Sequence, residues 1–136
     1  MSKRANSRKL AMRMVYQFDI RNQDIDIIFE DLKKDQYAEE TIDWAYNLAS
    51  ITIKELPKID DIIRAFSIDW DPDRLNRIDK ALLRIGISEI LYKKTPYQVV
   101  INEVIEISKI YSTEESAKFI NGILDQYVKK SGLPDS

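Results

Sequence analysis

"DWDPDRLNRIDKALLRIGISEILY", residues 69–92, decides how the whole chain is read. Its isoleucines and leucines suggest strand by propensity alone, yet they recur at helical spacing, and pattern outranks propensity. Asp71 as N-cap and Pro72 at the first helical position mark a helix start. Gly86 lies inside that helix, where it costs about 1 kcal/mol relative to Ala. Close packing against another helix is the expected reason for it.

The same spacing continues in both directions. Upstream, Leu10, Ala11, Met14, Val15 and Phe18 fall on one arc of a first helix, and Lys9, Arg13 and Tyr16 on the opposite arc. Asp24 is the expected N-cap of a short helix carrying Ile25, Ile28, Phe29 and Leu32. A longer pattern runs from Glu39 through Ile42, Ala45, Ala49 and Leu56, and Pro57 is expected to kink or break it before Ile59, Ile62, Ile63 and Phe66. Downstream, "TPYQ" at 95–98 reads as Thr95 N-cap, Pro96 at the first helical position and Gln98 behind it. "STEE" at 112–115 reads as a capping box of Ser112 and Glu115. The last helix is expected from about Thr113 to Lys130, with Lys129 and Lys130 at its negative end and Gly132 and Pro134 stopping it. The fold class is therefore all-α: six to seven helices in two packed bundles. One domain, 1–136, is expected to divide into an N-terminal subdomain of about 1–69 and a C-terminal one of about 70–136.

A chain of 136 residues can bury roughly two thirds of its unfolded surface without staples. Its composition, 44% apolar and 32% charged, is that of a globular protein. It has no Cys and no His, so disulfides, thiolate metal sites and the commonest general base are all excluded. Glu39 with Glu40 and Asp60 with Asp61 are neighbours in sequence. On a helix such neighbours point about 100° apart, which reads as solvated surface rather than a shared metal or proton site. No phosphate loop, nucleophile elbow or calcium loop is present. Catalytic residues, metal and cofactor are all expected to be none. "LAMRMVYQF" has no small-residue cleavage site, and no apolar run approaches spanning length. The expected location is cytoplasmic, with no membrane partner.

Charge is uneven. Residues 1–13 carry +5, residues 14–70 carry six bases against thirteen acids, and residues 71–136 carry ten of each, within a net charge of −2. A polyanion is repelled by the acidic middle, so nucleic-acid contact is expected at the N-terminal bases and whatever folds beside them. Positive charge at a helix N-terminus opposes the macrodipole, a hint that a ligand wants it there. In the last helix Ala117, Ile120, Ile123, Leu124 and Tyr127 form the core arc, and Phe119 stands to one side of it beside Lys118 and Gly122. A partly exposed Phe next to a lysine fits a base-stacking platform as well as the edge of a core.

Three blocks in order, "RLNRIDKALLRIGISEI", "TPYQVVINEVIEISKIYS" and "ESAKFINGILD", behind a basic helix that ends in Tyr16, resemble the NusB family of transcription antitermination factors. The resemblance implies an all-α, non-enzymatic protein. It implies binding of boxA-like single-stranded RNA together with the small-subunit ribosomal protein NusE, in the RNA polymerase antitermination complex that reads through terminators in ribosomal RNA operons. Residue by residue, it assigns RNA binding to Lys3, Arg4, Arg8 and Lys9 at the front and to Glu115, Ser116, Lys118 and Phe119 near the end, and it places the protein-partner face near Tyr16 and Asp79. Ala5 and Asn6 stand where relatives carry further arginines, Gly86 where Ala is usual and Ser88 where an aromatic is frequent. The first departure implies RNA affinity that leans more on the partner. The alternatives are a protein-only helical adaptor with little RNA affinity of its own, and a detached NusB-like domain of an RNA methyltransferase, for whose catalytic domain 136 residues leave no room.

Overall fold

A computed structural model describes residues 3–66 and 76–132, and its regular elements are all helical. In order they are α1 (Lys3–Arg21), α2 (Ile25–Leu32), α3 (Glu39–Lys54), α4 (Leu56–Ala65), α5 (Arg77–Ser88), a π-helical turn (Glu89–Lys93), α6 (Tyr97–Tyr111) and α7 (Glu114–Ser131). The all-α expectation is met. Trp70, Asp71 and Pro72, on which the subdomain boundary and a helix start were placed, lie outside the described residues. Within the described residues α5 starts instead at Arg77, where the Asn76 side chain accepts from the Ile78 N–H at 2.8 Å.

α5 is the pillar. Every residue from Asp79 to Ile90 is buried, and α1, α3, α4, α6 and α7 all pack on it. A helix buried nearly all round sits in the middle of a core, and the charged residues of α5, Asp79, Lys80 and Arg84, are buried with hydrogen-bond or ion-pair partners. A Cβ at Gly86 would come 3.4 Å from Val104 Cγ2 and 3.6 Å from Leu124 Cδ1. Those are ordinary van der Waals contacts, so an alanine fits against α6 and α7 and close packing, the expected reason for Gly86, does not require glycine there. Arg8 meets Glu89 while Asp19 meets Lys80, so α1 runs antiparallel to α5. α1 is wedged between α3 and α5, which widens its core arc: Met12 joins Leu10, Ala11, Met14 and Val15 in burial, and Phe18 is half-buried.

Local punctuation is partly displaced from expectation. Asp24 caps α2 by accepting from the Asp26 N–H at 2.8 Å. α3 ends at Lys54 and α4 restarts at Leu56, with Pro57 in its first turn, where a missing N–H costs no helical bond. The "TPYQ" cap does not form: α6 begins at Tyr97 behind Pro96 with no side-chain cap, because Lys94 turns the chain at φ 56°. The cap of α7 sits one residue later than expected, with Thr113 Oγ1 accepting from the Ser116 N–H at 3.0 Å. Ser112 belongs to the end of α6. Gly132 closes α7 at φ 64°, and Pro134 lies outside the described residues. Asp60 is also not the solvated acid it was expected to be: it holds Arg84 through Nε at 2.9 Å and Nη2 at 2.8 Å. Asp61 stays exposed.

Tyr127 on α7 is buried, and burial raises the pKa of its hydroxyl above the ordinary tyrosine value. The folded state thus favours the neutral phenol. Its contribution to stability is complete below the unfolded value of about 10 and is lost as pH rises through the raised folded value. In a near-ultraviolet alkaline titration Tyr127 should ionise above the ordinary tyrosine value. In Tyr127→Phe that late step should vanish.

Candidate nucleic-acid interface

The N-terminal bases do not act alike. Arg8, expected among the RNA contacts, is 3% exposed. Its Nε donates to Glu89 Oε1 at 2.8 Å and its Nη2 to Glu89 Oε2 at 2.6 Å, while Nη1 reaches Glu103 Oε1 at 3.2 Å. A guanidinium enclosed by two carboxylates has no face left for phosphate, so Arg8 is a structural residue that ties α1 to α6 and to the π-helical turn after α5. Arg4 is exposed and stacks over the Trp44 ring at 4.4 Å, along the edge of α3 that carries Glu39, Glu40 and Asp43. Lys3 opens α1, and its side chain lies outside the described residues.

Lys9 is half-buried on the outer arc of α1, with Arg13 one turn further on. The two line a polar groove of about 710 Å³ together with Asn6, Tyr37, Thr41 and Tyr111. Arg13 donates to the Tyr37 hydroxyl, and its acidic neighbour, Asp35, is 3.9 Å away.

At the start of α7, Glu115 is exposed and Ser116 half-buried. Ser116 Oγ donates to Asp79 Oδ2 at 2.5 Å and shares a hydrogen bond with Ser112 Oγ at 2.9 Å. Ser112 follows Tyr111 directly, so the groove on α1 and the first turn of α7 are joined through the end of α6. Phe119, one turn beyond Ser116, is half-buried against the core, as its place beside the core arc implied. Lys118 departs from that surface. It lines a separate groove between α6 and α7 with Lys109 and Glu114. Lys109 and Tyr111 point about 200° apart around α6, so Lys118 and Lys9 flank the end of that helix from different sides.

Tyr16 and Asp79 are drawn to one end of the α1–α5 pair. Asp19, one turn after Tyr16, takes Lys80 Nζ at 2.9 Å, and Lys80 follows Asp79. Tyr16 is half-buried, and Asp79 is 4% exposed with its Oδ1 buried and unpaired. Among the described residues no cluster of three or more acids gathers for a metal, and no helix is long and apolar enough to cross a membrane.

The sequence model of the NusB family matches residues 5–129, reaching into every helix from α1 to α7. The chain belongs to the NusB family. Transcription antitermination protein NusB of Thermoanaerobacter sp. (strain X514) is 36% identical over 132 residues, covering 97% of this chain and 94% of the relative. NusB of Thermodesulfovibrio yellowstonii is 48% identical over 98 residues, 69% of this chain and 65% of the relative. Among solved structures, NusB of T. maritima superposes with TM-score 0.85 at 32% identity, covering 96% of this chain and 92% of that one. A structure of antitermination factors NusB and NusE in complex with dsRNA matches with TM-score 0.85 at 25% identity, over 96% and 98% of the two chains.

Within this NusB fold, sequence reading missed Trp44, Tyr37 and Tyr111 as neighbours of the basic helix, and Glu89 and Glu103 as partners of Arg8. A signal existed for Glu89. A lone acid inside the mostly apolar stretch "ALLRIGISEIL" is a candidate for burial, and a buried carboxylate needs a cation from elsewhere.

Proposed function

We propose that this NusB-family chain binds boxA-like single-stranded RNA together with the small-subunit ribosomal protein NusE, and through them keeps RNA polymerase transcribing past terminators in ribosomal RNA operons. The observation that carries this reading is the match of 96% of the chain, at TM-score 0.85, to the NusB–NusE–dsRNA structure. Lys3, Arg4 and Lys9 contact phosphates from α1. Glu115, Ser116, Lys118 and Phe119 supply the α7 side, with a base stacked on Phe119. Tyr16 and Asp79 receive NusE. Docking there gives the orphaned Asp79 Oδ1 a donor, which a basic ribosomal protein can supply. The chain acts in the cytoplasm as an adaptor and catalyses no reaction.

Titration of labelled boxA-like RNA, with and without NusE, tests the reading. RNA bound by the chain supports it, more tightly so with NusE. No RNA signal even with NusE overturns it in favour of a protein-only adaptor. If Lys3, Arg4, Lys9 and Lys118 each neutralise one phosphate, log affinity should fall against log salt with a slope of about −3. A flat salt profile is incompatible with that set. Phe119→Ala should cost about 1 to 3 kcal/mol of RNA affinity, because a stacked base loses its platform.

A further inference from the structure

The groove between α1, the loop before α3 and the end of α6 remains unused by the contacts above, apart from Lys9 at its rim. We infer that it holds one nucleotide of the bound RNA, its phosphate between Lys9 and Arg13 and its base against Tyr111. This inference rests on the RNA-binding reading and extends it beyond the α7 platform.

Three features of the groove point to this occupant. Lys9 and Arg13 sit one turn apart on the same arc of α1, and both line the groove. Among the described residues no acid pairs with Lys9. The acid facing Arg13 is Asp35, at 3.9 Å with 53% of its side chain exposed, a contact that water screens. The groove thus holds two cations that the protein itself leaves almost uncompensated, in a chain whose next 57 residues carry seven more acids than bases. Arg13 is also positioned. Its donation to the Tyr37 hydroxyl fixes the guanidinium at the wall of the groove, so little rotamer freedom remains to be lost when an anion arrives.

The rings select the class of anion. Tyr111 keeps 43% of its surface exposed at the end of α6. An exposed ring beside a pair of cations matches the alternation of base and phosphate along a single strand. Asn6 and Thr41 add polar edges that can meet a ribose or a base. An acidic protein segment satisfies the cations but leaves the Tyr111 ring without a partner. The connection from Tyr111 through Ser112 to Ser116 makes the groove continuous with the α7 platform, so one strand can follow both.

The test uses the full-length chain and a labelled boxA-like single strand, with Arg13→Gln, Arg13→Lys, Tyr111→Ala and Tyr111→Phe compared against the wild type. Both positions are exposed enough that the fold should survive, which circular dichroism checks. Tyr111→Ala should weaken RNA at least about five-fold, the low end for one stacked base, while Tyr111→Phe binds as wild type. Arg13→Gln should flatten the salt slope by about 0.7, one phosphate of a single strand, and Arg13→Lys should restore it. Photo-crosslinking from a thiouridine-substituted strand should label Tyr37 or Tyr111. If Phe119→Ala weakens RNA while the Arg13 and Tyr111 variants leave affinity, slope and crosslink unchanged, the groove inference is wrong and the RNA-binding reading stands. If the wild type binds no RNA with or without NusE, both fall. Protection of the groove by NusE without RNA would assign it to protein and also overturn the inference.

Discussion

Arg8→Ala should destabilise the fold by about 3 to 5 kcal/mol, the cost of leaving one member of a buried ion pair behind. Glu89 is 1% exposed and receives two guanidinium bonds at 2.6 and 2.8 Å, in the fork-to-fork geometry that makes such pairs strong. Without Arg8 its carboxylate has apolar neighbours on the pillar helix and little water. The midpoint of urea unfolding should fall accordingly. Arg8→Met combined with Glu89→Met should recover most of the loss, because the pair replaced as a whole leaves no orphaned charge. That double variant also separates structure from recognition. If Arg8 serves packing, the double variant binds boxA-like RNA as the wild type does at temperatures where both are folded. A phosphate contact at Arg8 predicts instead a loss of affinity with unchanged unfolding.

The contrast between Arg8 and Lys9 shows how far the sequence could be read. Helical periodicity placed the core, because burial of Leu10, Ala11, Met14 and Val15 on one arc follows from spacing alone. It likewise located the break at Pro57, the cap at Asp24 and the stop at Gly132. Those are local or near-local facts. What one arginine does among several depends on which helix arrives opposite it, and Glu89 and Glu103 lie 81 and 95 residues away. For the same reason Lys118, adjacent to Phe119 in the chain, turned to the far side of α6. The family resemblance assigned recognition to two segments. It could not distribute their residues between phosphate and core, since a buried and an exposed arginine look identical in a basic run. The displaced caps at Thr95 and Ser112 have a different origin: each segment offers several competing cap residues, and the turn at Lys94 and the geometry of Ser112 decided among them.

Asp19→Ala should cost about 2 to 3 kcal/mol, somewhat less than a sealed ion pair would. Asp19 ends α1 among three cations of α5: Lys80 at 2.9 Å, Arg77 at 3.5 Å and Arg84 at 3.7 Å. The three do not depend on it equally. Arg77 is 53% exposed and returns to water at little cost, and Arg84 keeps its bidentate Asp60. Lys80, 7% exposed at its side chain, is left with a buried ammonium and no acid within ion-pairing distance among the described residues. The remaining exposure of Asp19 itself, 19%, lets water reach the gap and keeps the loss below the full penalty. Lys80→Met in the Asp19→Ala background should therefore restore stability, whereas Arg77→Met should not. Because the same ion pair sets α1 against α5 beside Tyr16 and Asp79, Asp19→Ala should also weaken NusE binding in calorimetry. The Lys80→Met double variant should regain the fold and the docking together. Recovery of urea resistance without recovery of NusE affinity would mean that the charge of Asp19, and not the packing it enforces, is what the ribosomal protein reads.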